Sequence, residues 1–146
     1  MPQPTSPVDG FPSTLPALPV VVVVDDDLLT NRMVADAIAD VHCEVVGFAS
    51  ADEALTWLRA HPASVVVADQ YLQGRTGLSL LRALREGGAR PRRLLMTAHL
   101  DARLAVEAVN EAQVFRLLEK PLDRWNVRDF VIQALDALTR EAARAR

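Results

Sequence analysis

Val20 to Thr30 reads VVVVVDDDLLT, five valines followed without a break by three aspartates. A run of β-branched residues with no polar alternation predicts a strand covered on both faces. Such strands belong to parallel sheets flanked by helices, so the flanking sequence should alternate strand with helix. The acids pose a chemical question. Two carboxylates about 4 Å apart repel by roughly 4 kcal/mol at an effective dielectric near 20. The cost is tolerable if they face water, and it becomes useful if a positive charge sits between them.

The alternation continues outward from this stretch. After the acids, LLTNRMVADAIAD brings Met33, Val34, Ala37 and Ile38 to one helical face. EVVGFA leads into ADEALTWLRAH, and SVVVA gives way to a glycine-containing loop and LSLLRALREGG, closed by Gly87 and Gly88. RRLLM precedes DARLAVEAVNEA. Last, VFRLL ends at Lys120-Pro121 before the long helix RWNVRDFVIQALDALTREAARA, with Val127, Val131, Ala134, Leu135 and Leu138 expected inward. Five strand–helix pairs joined by right-handed crossovers predict an α/β fold with one doubly wound, five-stranded parallel sheet. Residues 1–18 are rich in Pro and Ser with no apolar period and predict a disordered tail, leaving 19–146 as one domain.

Composition narrows the class. At 146 residues, half of them hydrophobic, the chain can bury one proper core. A net charge of -3 with no basic stripe gives no reason to expect direct nucleic acid binding. The single cysteine, Cys43, excludes an internal disulfide and fits a reducing compartment. No apolar run nears the ~18 residues that cross a bilayer, and no signal peptide opens the chain, so a cytoplasmic protein without membrane attachment is expected. Fifteen arginines stand against one lysine, Lys120, so that position is a candidate for a compact, mobile ammonium.

In doubly wound sheets, ligands bind beyond the carboxyl ends of the strands. Strand one ends in Asp25, Asp26 and Asp27, strand three in Asp69, strand four in Thr97 and strand five in Lys120. Asp25, Asp26 and Asp69 form an all-oxygen set suited to magnesium, or to manganese in its place. Asp69 can also serve as a nucleophile toward phosphorus, with Thr97 and Lys120 stabilising the transferring group. Taken singly, each residue has a plainer reading. An acidic triplet before a helix usually caps it, Thr97 can satisfy a strand end, and Lys120 can be a surface cation.

With these residues in this order, the chain resembles the response-regulator receiver domains of bacterial two-component and phosphorelay signalling. The resemblance implies the flavodoxin-like (βα)5 fold with strand order 2-1-3-4-5. It implies Asp69 as phospho-acceptor, the Tyr71 carbonyl as a further metal ligand, and a cis Lys120-Pro121 bond. A sensor histidine kinase or phosphotransfer protein would supply the phosphoryl group to a signalling domain that is not an enzyme in the usual sense. The fourth and fifth helices with the strand between them, or the last helix, would meet an output partner or form a homodimer. Tyr71 and His99 stand where receivers tune phosphoryl lifetime. Two positions depart from the family: Gln73 replaces a usual proline, and Leu117 replaces the usual switch aromatic. The segment AVNEAQVFRLLEKP also resembles receivers joined to HD-GYP phosphodiesterases or hydrogenase-type activators. A rival reading takes Asp25-x-Asp27 as similar to haloacid-dehalogenase phosphatases, with Asp25 phosphorylated, although Leu29 does not suit that pattern. A receiver that no longer takes phosphate is a third reading.

Overall fold

The computed structural model describes residues 18–88 and 91–144. The tail expected over 1–18 lies outside them except for Leu18. Ten elements alternate: β1 (Val20–Val24), α1 (Leu28–Ala37), β2 (Glu44–Phe48), α2 (Ala51–Ala60), β3 (Val65–Asp69), α3 (Gly77–Glu86), β4 (Arg92–Thr97), α4 (Ala102–Ala112), β5 (Arg116–Glu119) and α5 (Arg124–Arg144). The five strands form one parallel sheet in the order β2-β1-β3-β4-β5. The chain starts near the middle, winds to one edge, then returns to build the other.

The sheet explains why the valines do not alternate with polar residues. Val22 and Val24 enter an apolar layer with Val66, Leu95 and the inner faces of α2, α3 and α4. Val21 and Val23 enter a second layer with Val65, Val67, Met96 and the faces of α1 and α5. Each strand thus serves two cores, and both parities must be apolar.

Among the strands, β3 is buried throughout, and β1 and β4 are buried beyond their first residues. β2 exposes Glu44 and Gly47, and β5 exposes Arg116 and Glu119, because an edge strand has a neighbour on one side. In α5, Val127, Val131 and Ala134 are buried, whereas Leu135 and Leu138 are only half-buried. A helix of 21 residues runs about 30 Å, longer than strands of four to six residues, so its last turns outrun the sheet.

Local chemistry sets the boundaries. Asp27, Ser50, Thr76 and Asp101 cap α1, α2, α3 and α4 by accepting from backbone N–H groups. α3 stops at Gly87, whose N–H donates to the Ala83 carbonyl, and Gly88 follows with φ +83°. Cys43 is partly buried and free, and burial pushes its thiol up. Trp57 packs on Phe48 at 5.6 Å and stacks on His61 at 4.2 Å, while Trp125 is exposed.

Candidate functional site

Among the described residues, the buried polar or charged side chains are Asp25, Asp69 and Thr97. All three stand at the carboxyl ends of central strands β1, β3 and β4, so one sheet edge gathers them. Lys120 follows β5, and its Nζ lies 2.8 Å from Asp25 Oδ2 and 3.1 Å from Asp69 Oδ1. One ammonium therefore joins the ends of β1 and β3. The Lys120-Pro121 bond is cis, as the resemblance implied.

The acidic triplet divides its labour. Asp27 is the helix cap of the plainer reading, accepting from the Leu29 N–H at 3.0 Å. Asp25 turns inward, and its Oδ1 accepts from the Asp27 N–H at 2.9 Å while Oδ2 takes Lys120. Asp26 is exposed beside them. Carboxylate oxygens of Asp25, Asp26 and Asp69 lie within 4.8 Å of one another. An octahedral magnesium ion with oxygens at about 2.1 Å holds neighbouring ligands about 3 Å apart and opposite ones about 4.2 Å apart. The hard, all-oxygen donor set fits such an ion.

Burial pushes the Asp69 carboxyl above its ordinary range, against the Lys120 hydrogen bond and with the repulsion of Asp25. Burial also works against the Lys120 charge, but the hydrogen bonds to Asp25 and Asp69 outweigh it and raise the ammonium above 10.5. A raised lysine stabilises the fold fully below its unfolded value and loses that contribution as pH rises through the folded value. In metal-free protein, the stability gap between wild type and Lys120→Gln is therefore expected to be constant from about pH 7 to about pH 10 and to shrink at higher pH. Urea unfolding at several alkaline pH values reads this directly. A gap that widens there contradicts the assignment.

The remaining candidates flank this core. Thr97 Oγ1 accepts from the His99 N–H at 3.1 Å, which turns the chain just after β4. Tyr71 and His99 meet edge to face, ring centroids 6.0 Å apart and planes at 75°. Leu117 pairs in register with Leu95 and packs into the layer under α4. Phe115, two residues earlier, packs in the opposite layer and does not substitute for it.

Two supporting residues escaped the sequence reading. Asn31 Nδ2 donates to the carbonyls of Asp25 at 3.2 Å and Phe48 at 3.3 Å, tying the ends of β1 and β2. Its signal was an amide in the first turns of a helix, a poor helix former where an apolar or charged residue serves better. Gln70 Oε1 accepts from the Leu78 N–H at 2.9 Å and its backbone bonds Met96 and Gly77, closing the loop after Asp69. Nothing local in the sequence marks that role.

Known proteins resemble this chain in sequence and in fold. The sequence signature described as the response regulator receiver domain matches residues 21–132. The hydrogenase transcriptional regulatory protein HoxA of Cupriavidus necator is 32% identical over 80% of this chain and 24% of its own length. The DNA-binding transcriptional regulator NtrC of Salmonella typhimurium is 31% identical over 71% of this chain and 22% of its own. The chain thus spans about a quarter of these relatives. In shape, it resembles the signal receiver domain of an HD domain-containing protein from Pseudomonas fluorescens Pf-5, with a TM-score of 0.81 and 23% identity over 90% of this chain and 97% of that one. The chemotaxis response regulator CheY4 of Vibrio cholerae gives 0.74 and 21% over 82% of this chain and 100% of its own.

Proposed function

The chain belongs to the response-regulator receiver family of two-component signalling, whose general function is phosphorylation on an aspartate, and we propose that here the acceptor is Asp69. What carries the reading is the meeting of a buried carboxylate, a second acid and a lone lysine at one sheet edge. Receivers interact with histidine kinases or phosphotransfer proteins and are signalling domains rather than ordinary enzymes.

In this reading, Asp69 attacks the phosphorus of a donor phosphohistidine, a P–O bond forms as the P–N bond breaks, and the donor imidazole leaves. Lys120 balances the negative charge gathered around Asp69, and the Thr97 hydroxyl donates to a phosphoryl oxygen. Asp25, Asp26, Asp69 and the Tyr71 carbonyl would hold magnesium or manganese. Bound there, the cation neutralises charge on the phosphoryl oxygens. New charge on Asp69 would bias a pre-existing equilibrium of the α4-β5-α5 face, where Val106 and Val109 are exposed on α4. An output partner or a second copy would read that face. Among the described residues, no helix is long and apolar enough to cross a membrane, and we place the protein's work in the bacterial cytoplasm. The phosphatase reading is disfavoured because Asp27, its required second acid, is engaged as a helix cap.

Acetyl phosphate with magnesium is expected to add one phosphoryl group, seen by intact mass and located at Asp69 by peptide mapping. Chelation of the metal is expected to suppress the gain. A modified residue other than Asp69 would overturn the assignment.

In this reading the Tyr71–His99 ring pair would shield the acyl phosphate from water. Replacing both residues, Tyr71→Asn with His99→Glu, removes the ring contact and brings a carboxylate that can order water. The phosphoryl lifetime in the double variant is expected to fall several-fold, read from mass or radiolabel decay. An equal or longer lifetime would show that the rings shield nothing.

A further inference from the structure

A second charged site lies at the opposite end of the sheet and takes no part in phosphoryl transfer to Asp69. A groove of about 400 Å³ opens between α5 and the first residues of β4 and β5. Arg92, Arg116, Arg140 and Arg144 line it, and its one acid, Glu141, is already ion-paired with Arg92. The groove thus concentrates a formal excess of three positive charges in a chain whose net charge is -3.

The guanidinium groups are partly prearranged. Arg92 and Arg116 lie over the Phe115 ring, 5.1 Å and 4.4 Å from its centroid. Arg116 Nε donates to Gln133 Oε1 at 3.2 Å and its Nη1 to the Phe115 carbonyl at 2.8 Å, which fixes the plane further. Arg140 and Arg144 stand one turn apart on α5, and among the described residues neither is in an ion pair. Arg92 Nε is buried and donates to nothing. A buried donor left unpaired costs about 1–3 kcal/mol.

We propose that this groove binds a small polyphosphate anion, either free or carried by a nucleotide. Planar guanidinium forks match phosphate oxygens in pairs, and a polyphosphate presents several such groups, and more charge, where a carboxylate ligand presents one. Three excess charges suit a ligand with two or three phosphates, and the volume lies within the range of small-ligand sites. A nucleic acid duplex fits less well. It would meet a compact concavity rather than a basic stripe, on a chain that is acidic overall. The acid cluster stands at the carboxyl ends of the strands and the groove at their amino ends, so the two sites are separated by the length of the sheet.

Calorimetric titration of the protein, without magnesium and at low salt, uses inorganic pyrophosphate, GTP and guanosine as probes. Saturable binding of pyrophosphate and GTP, weakening as salt rises, with none of guanosine, is the expected pattern. Equal affinities for the first two identify the phosphates as the whole determinant, and tighter GTP identifies a carried base as well. The variant R140E with R144E is expected to weaken both at least about tenfold while Asp69 phosphorylation by acetyl phosphate proceeds as before, which also shows that it is folded. Arg144→Gln serves as a milder second variant in the last turn of α5. No saturable binding at millimolar probe, or undiminished binding in both variants, overturns the proposal. Binding of duplex DNA without pyrophosphate, or a dimer that the charge reversal dissolves with no anion bound, does the same.

Discussion

Asp69→Asn is expected to abolish phosphorylation by acetyl phosphate while leaving the protein folded and no less stable. An amide offers no carboxylate oxygen to attack phosphorus, so the loss should be complete rather than graded. The stability expectation comes from the electrostatics. Burial and Asp25 both push the Asp69 carboxyl up, which means that its ionised form is a cost to the folded state. A neutral amide of nearly the same shape removes that cost, and Lys120 keeps its 2.8 Å contact with Asp25. In metal-free protein, the urea midpoint of the variant should equal or exceed that of wild type. A variant that is unfolded, or one that still gains a phosphoryl group, would contradict the assigned role. Asp26→Ala provides the complementary case: the nucleophile stays, but most divalent-cation binding is expected to go, read by calorimetry.

Gly77→Ala should have the largest effect on stability. A Cβ at that position would stand 2.2 Å from the Asp69 carbonyl oxygen, 2.8 Å from its carbon and 3.0 Å from Leu95 Cδ1. The nearest obstacles are backbone, and that backbone carries Asp69, the proposed phospho-acceptor, so relief requires moving the end of β3 or the start of α3. Overpacking of this kind costs about 3 kcal/mol. For a chain of this length, that corresponds to a fall in Tm of about 10 °C. The folded fraction should also phosphorylate more slowly, because any shift of the Asp69 carbonyl turns its side chain away from Lys120. Thermal unfolding within a degree or two of wild type would show that α3 can retreat without consequence.

Much of the fold and the site was legible in the sequence because the chain repeats one instruction. Apolar runs such as VVVVV and SVVVA have a single stable home, a central parallel strand, and the residues directly after such runs must emerge at the same edge. Asp25, Asp69, Thr97 and Lys120 therefore share one sheet edge, as their positions after the apolar runs predict. Cover of the edge strands was less legible, since the valines of β2 look like those of β1 and only pairing order decides which strand loses a neighbour. Asn31 and Gln70 were missed for another reason. Their amides bond backbone groups brought near by folding, Asn31 to Phe48 and Gln70 to Leu78, and no periodicity records such a contact.

The homopolymeric run of β1 has a consequence for how the chain finds its alignment. Five identical side chains carry no information about offset, since a slide by one or two positions presents valine to both layers again. Alignment must then be fixed where the run ends. At one end Pro19 accepts from Glu44, and at the other Asp25 donates its N–H to Phe48 and offers its carboxylate to Lys120. Slippage forward would drag an aspartate between the hydrophobic layers, and slippage backward would strip it of its ammonium. The acid that meets the lone ammonium is thus also the ruler mark by which the central strand is set.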